Sequence, residues 1–193
     1  GPNGEFFLPA SFNDSNGSTR AMQAVGGVNI DTGVPNTVPL KTPAGSTTVN
    51  PLTTLVETVR ESAGVDAASA STLVAAALGL STGTDLTRFN PLAVLVTNPG
   101  DQADSASANA ALAAHKAAAS VATLVALTAG GDASNAKNAI ASLATQLSNA
   151  ATEGRSVSLT DASVLGAVAT AAGADNTNTN AALDALAAIS TAS

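Results

Sequence analysis

Two patterns of apolar and polar positions divide the chain near residue 50. After it, Leu52, Leu55, Val56, Val59 and Ala63 fall at i, i+3, i+4, i+7 and i+11, one stripe along a helix. Before it, "VGGVNIDTGVPNTVPLKTPAGSTTV", residues 25–49, sets Gly or Pro every few positions and so forbids a helix longer than a turn. Short extended pieces at Val25 to Ile30 and Asn36 to Leu40 are expected to form a small hairpin or to lie along the helical body.

The boundary has a chemical cause. Asn50 can accept hydrogen bonds from the free amides of a first helical turn, and Pro51 suits the next position because its missing N–H costs nothing there. Gly64 ends this helix, and Asp66 caps a second with Ala70, Leu73, Val74, Ala77 and Leu78 inward and Gly79 as its stop. "NPLAVLV", residues 90–96, then repeats the cap and stripe of "NPLTTLV", residues 50–56.

The longest helical pattern runs from Ser105 to about Ala129, with Leu112, Ala119, Val121, Ala122, Leu124, Val125 and Thr128 inward. At 1.5 Å per residue it spans roughly 35 Å, which marks it as the spine of the bundle. Asp132 caps the next, with Ala136, Ile140, Leu143, Ala144 and Leu147 inward and its end near Gly154. Asp161 caps another, with Leu165, Val168 and Ala169 inward, and a last helix is expected from near Thr179 with Leu183, Leu186 and Ile189 buried. The fold class read from these signals is all-α: an antiparallel bundle of about seven helices with an extended Gly/Pro-rich N-terminal arm. Residues 7–49 form the arm or interdomain junction and residues 50–193 the helical domain. Residues 1–6, Gly-Pro-Asn-Gly-Glu-Phe, lack the features of a signal segment and read as a tag remnant, so the chain is expected to be a piece of something longer.

Composition narrows the chemistry. Of 193 residues 45% are hydrophobic but only 2% aromatic, so the core must be assembled from Ala, Val and Leu in many small increments. Seven Lys and Arg face fourteen Asp and Glu, and the cations are scattered singly, which argues against nucleic acid and against anionic membrane surfaces as partners. With no Cys, disulfides, thiolate metal sites and cysteine nucleophiles are excluded. The Ala-rich segments are broken by Ser, Thr, Asn and charges, so no membrane span is expected.

No assembled catalytic set emerges, and the chain is read as a non-enzyme. His115, the only histidine, has Ala111 and Ala119 at i−4 and i+4, which rules out a helical metal pair and favours a surface or half-buried structural role. Glu57 and Glu61, with Arg60 between them, are expected on a solvated helix face, and Asp101 and Asp104 in a polar loop before the long helix. Candidate metal ligands lie in the lead-in. In "NDSNGS", residues 13–18, Asp14, Asn16 and Gly17 take the relative positions 3, 5 and 6 of a calcium loop, although Phe12 stands at position 1 and no bidentate Glu follows. Asn29 and Asp31 of "NIDTG" form a second Asx-turn candidate for calcium; no other cofactor is expected.

Residues 26–59, "GGVNIDTGVPNTVPLKTPAGSTTVNPLTTLVETV", and residues 77–93, "ALGLSTGTDLTRFNPLA", resemble a segment that recurs in very large bacterial secreted or surface proteins. Those proteins are typically calcium-binding and adhesin-like, with hemolysin-type or cadherin-like repeats; the Gly-Gly-x-Gly-x-Asp nonapeptide of such repeats is missing from this chain. The resemblance implies an extracellular or cell-surface setting, with neighbouring domains of the same chain and cell-surface or matrix components as partners. The expected function is therefore a non-catalytic structural or interaction module of a large secreted, adhesin-like surface protein. The alternative is a helical binding module for a small ligand, glycan or peptide, held between helices.

Overall fold

The structure, a computed structural model, describes residues 20–27, 38–91, 93–94 and 105–191. The all-α class holds: among the described residues are six helices of 11 residues or more and one two-stranded hairpin. The strands are β1 (Met22–Ala24) and β2 (Leu40–Thr42). The helices are α1 (Pro51–Ala63), α2 (Ala67–Ala77), α3 (Ser105–Ala129), α4 (Ala133–Thr152), α5 (Ala162–Ala172) and α6 (Asn176–Thr191).

Side-chain caps set most of these boundaries. At α1, Asn50 Oδ1 accepts from the Thr53 amide at 2.9 Å while Thr53 Oγ1 accepts from the Asn50 amide at 2.9 Å, a reciprocal box that satisfies two free donors. Gly64 closes the helix at φ 66°, a left-handed conformation that costs a residue with a side chain far more. Asp66, Asp132 and Asp161 cap α2, α4 and α5 by one carboxylate oxygen each, which accepts from first-turn amides.

Four expectations shift. The last helix starts at Asn176 rather than near Thr179, because Asp175 caps it, its Oδ1 accepting from the Asn178 amide at 2.8 Å. The helix expected from Asn90 is described only in its first turn, where Asn90 Oδ1 accepts from the Ala93 amide at 3.2 Å; Leu92, Leu95 and Val96 lie outside the described residues. The hairpin strands sit at Met22–Ala24 and Leu40–Thr42, offset from the expected Val25 to Ile30 and Asn36 to Leu40. On α2 the buried face is Ala70, Ser71, Val74, Ala75 and Ala77, with Leu73 and Leu78 only half buried.

The core is a continuous cluster in which alanine is the commonest residue, with Leu55, Leu86, Leu124, Leu143, Leu147, Leu165 and Leu186 the largest fully buried side chains among the described residues. Helix α4 packs against α1, α2, α3 and α5 and presents Ala136, Ala139, Ile140, Leu143, Ala144 and Leu147 inward, so it shares with α3 the central role expected of α3 alone. Helix α3 is long and apolar enough to cross a membrane by length and composition, with a mean hydropathy of 1.5. Its Val121, Leu124, Val125 and Thr128 are buried, while Leu112, expected inward, is exposed.

Core and caps each make a measurable contribution. Leu143→Ala should lower unfolding free energy by about 2–5 kcal/mol in urea titration, since it empties the centre of α4, whereas Leu112→Ala should stay within about 0.5 kcal/mol. Asp66 has its pKa held below the ordinary carboxylate value by the Ser69 amide and hydroxyl, and Asp161 by the Ser163 hydroxyl and amide. Both contribute stability above the unfolded value of about 3.9 that is lost as pH falls through the lower folded values. The thermal midpoint should therefore be insensitive to these caps from pH 7 to 5 and fall below about pH 4, and Asp66→Asn should flatten part of that fall.

Candidate functional site

The lead-in meets the helical body at one junction. β1 and β2 pair antiparallel with Met22 opposite Thr42, Gln23 opposite Lys41 and Ala24 opposite Leu40. On the far edge of β2, Thr54 Oγ1 accepts from the Lys41 amide at 2.9 Å and Thr53 Oγ1 donates to the Lys41 carbonyl at 2.9 Å. Because successive residues of a strand turn their amides to opposite edges, Leu40 and Thr42 face β1 while Lys41 faces α1. Two helix hydroxyls thus complete the edge of β2 as a third strand would, which protects it from pairing with another chain.

Charge reinforces the contact. Lys41 Nζ lies 3.3 Å from Glu61 Oε2, and the Glu57 carboxylate receives Arg60 Nε at 2.7 Å and Nη2 at 2.9 Å. The expectation that Glu57 and Glu61 share a solvated face is corrected: Glu61 is exposed, but Glu57 is only 3% exposed. A carboxylate this deep needs a charged partner, and the two-point pairing to Arg60 supplies it while raising the Arg60 pKa above its ordinary value. The loop after α2 is tied to the same region, since the Thr47 amide donates to the Thr87 carbonyl at 3.0 Å and the Leu86 amide to Ser71 Oγ at 3.0 Å. Thr42 Oγ1 and Ser46 Oγ are buried there without a hydrogen-bond partner.

A second feature is a groove of about 290 Å³ where four segments converge. The end of α2 contributes Leu78 and Leu80, the stretch after α4 contributes Val157 and Leu159, and α6 contributes Leu186 and Ile189. The Val157 amide donates to the Ala77 carbonyl at 2.6 Å, which holds the 155–160 stretch against the end of α2. Along that stretch Val157 and Leu159 are half buried and Ser158 and Thr160 exposed, with the two hydroxyls 2.8 Å apart. On the α3 wall, Lys116 is the one charged side chain among the lining residues, next to Ala117 and Ser120.

The candidate calcium ligands Asp14, Asn16, Asn29 and Asp31, and the acidic pair Asp101 and Asp104, lie outside the described residues. Among the described residues no three His, Asp or Glu side chains are grouped so as to hold a metal ion. His115 is half buried on α3. Sequence reasoning missed both the second task of Thr53 and Thr54 and the groove. The alternation Val157-Ser158-Leu159-Thr160 was the one local hint of the groove, since it marks a half-buried extended stretch between helices.

Comparison with family models, with curated proteins and with solved structures finds no match for this chain.

The junction can be tested directly. Thr54→Val leaves the Lys41 amide without its acceptor and should cost about 1–3 kcal/mol. In hydrogen exchange, the amides of Leu40, Lys41 and Thr42 should lose protection in Thr53→Val/Thr54→Val while those of α4 keep theirs. Equal loss of protection in both places would show that the threonines support the whole core and not the junction.

Proposed function

We propose that the protein is a non-catalytic structural module of a larger secreted bacterial surface protein of the adhesin-like kind, seating an N-terminal extension firmly on a helical body. The observation that carries this reading is the hydroxyl-completed edge of β2 on α1. The residues that give the resemblance to surface proteins are largely the residues of this junction: Lys41, Asn50, Thr53, Thr54 and Glu57 fall in its first stretch, and Leu86 and Thr87 in its second. A motif that builds a docking joint is what a domain-linking role asks for, and it implies no reaction. Counting the helix begun at Asn90, the body is read as seven antiparallel helices without a membrane span, with neighbouring domains and surface or matrix components as partners.

In that setting calcium would fall to Asp14, Asn16, Asn29 and Asp31 in the lead-in. Binding would appear as a higher thermal midpoint in calcium than in chelator, because a ligand specific to the folded state stabilises it. An unchanged midpoint removes the four as ligands.

An antiserum raised against the protein should label intact, unpermeabilised source cells or their secreted fraction. Labelling only after permeabilisation would overturn the surface reading. A second reading, a helical module that binds a small ligand, is favoured by one observation, the groove between α2, α3 and α6.

A further inference from the structure

Residues 38–49, the strap that carries β2 and the turn before α1, are held on the helical body mainly by polar contacts. The Lys41 amide and carbonyl bond the hydroxyls of Thr54 and Thr53 at 2.9 Å each. Farther along, the Thr87 carbonyl receives the Thr47 amide at 3.0 Å and the Thr48 hydroxyl at 3.3 Å. The ion pair of Lys41 with Glu61 is partly open to solvent and adds little. Among the described residues Val38 is the one member of the core cluster that the strap supplies; the others lie at Leu52 and beyond. A segment with so few buried apolar contacts opens at a lower free energy than the helices it rests on.

Two hydroxyls of the strap oppose its seating. Thr42 and Ser46 are 0% and 4% exposed, and between them runs the turn that the Ser46 amide closes on the Pro43 carbonyl at 3.3 Å. Their hydroxyl oxygens, Thr42 Oγ1 and Ser46 Oγ, have no hydrogen-bond partner. The neighbouring Thr48, Thr53, Thr54 and Thr87 all use theirs. A hydroxyl buried in this way has given up water without compensation. That cost is carried only while the strap is seated, because lifting it returns both groups to solvent.

We infer that the strap is a release element: it lifts from α1 as a unit while the helices stay folded, and the hydration of Thr42 and Ser46 offsets part of what the threonine clasp contributes. The inference rests on the reading of this junction as a docking joint and adds that the joint gives way before the domain does. No covalent step is involved. Lifting parts the Lys41 amide and carbonyl from Thr54 and Thr53, so the far edge of β2 is covered while the strap is seated and open once it lifts.

The test is native-state hydrogen exchange of the full chain, corrected for intrinsic rates. In the parent, the amides of Lys41 and Thr47 should be at least about a hundredfold less protected than those of Leu143 and Leu147 in α4, whose exchange needs the domain to unfold. Thr42→Val, which keeps the side-chain shape, and Ser46→Ala, which removes only the hydroxyl, should each raise the protection of the two strap amides about fivefold or more. Ser148 Oγ on α4 is also buried without a partner and supplies the control. Because Ser148 stays in place when the strap lifts, Ser148→Ala should leave the strap amides unchanged. Strap amides as protected as those of α4, or moved together with them by Ser148→Ala, would overturn release as a unit and leave a rigid joint. Unchanged or lower strap protection in Thr42→Val and Ser46→Ala would show that the two hydroxyls do not oppose seating, and the inference fails there too. Strap amides that exchange as fast as unfolded peptide would remove the docking joint itself.

Discussion

Alanine packed against neighbouring helices sets how near the helices of this bundle can come, and the rest of the structure depends on that closeness. With 2% aromatic residues the chain has few side chains wide enough to bridge a gap. Helix axes must therefore approach toward the short end of the usual range of about 8–10 Å. Ala70, Ala75, Ala136, Ala139 and Ala144 are all fully buried, and α4 is surrounded by four other helices. Each alanine contact removes little apolar area from water, so stability accrues from the number of such contacts. Tight spacing also leaves little room for a ligand inside the bundle, and the groove accordingly lies at the helix ends, where α2 and α6 stop and an extended stretch crosses between them.

The same constraint decides where polar groups can go. Helices packed this closely tolerate small hydroxyls that return their hydrogen bonds to their own backbone, as Thr128 does to the Leu124 carbonyl at 2.7 Å. At α1 Thr53 Oγ1 accepts from the Asn50 amide while donating to the Lys41 carbonyl, and Thr54 Oγ1 donates to the Asn50 carbonyl while accepting from the Lys41 amide. One short motif thus starts a helix and holds the strand that precedes it. That double use joins β2 to the helical body through two hydroxyls.

Much of the fold could be read from the chain because its helix boundaries are written in local chemistry. Asn50, Asp66, Asp132 and Asp161 are caps whose meaning lies within three residues, and Gly64 and Gly173 are stops of the same kind. The start of α6 was harder because "NTNTN", residues 176–180, holds residues of low helix propensity, so tertiary packing and the Asp175 cap outweigh local preference. The inward face of α3 was misjudged at Leu112 because a helix so rich in alanine has a weak stripe, and its orientation comes from its neighbours. Glu57 escaped for a different reason: a carboxylate on a helix is ordinarily solvated, and its burial depends on which element covers it. Of the groove only the alternation Val157-Ser158-Leu159-Thr160 was legible, since its other walls come from segments far apart in the chain.

The register of the hairpin has a mechanical consequence. Because Met22 lies opposite Thr42, the chain leading into β1 and the chain leading out of β2 toward α1 leave from the same end of the hairpin. Tension along the polypeptide therefore loads the rungs between the strands one after another, as in opening a zip, while the threonine clasp on the other edge of β2 is sheared only once those rungs have gone. Pulled from its N-terminal side, a chain so arranged opens the hairpin before the clasp on α1 is loaded.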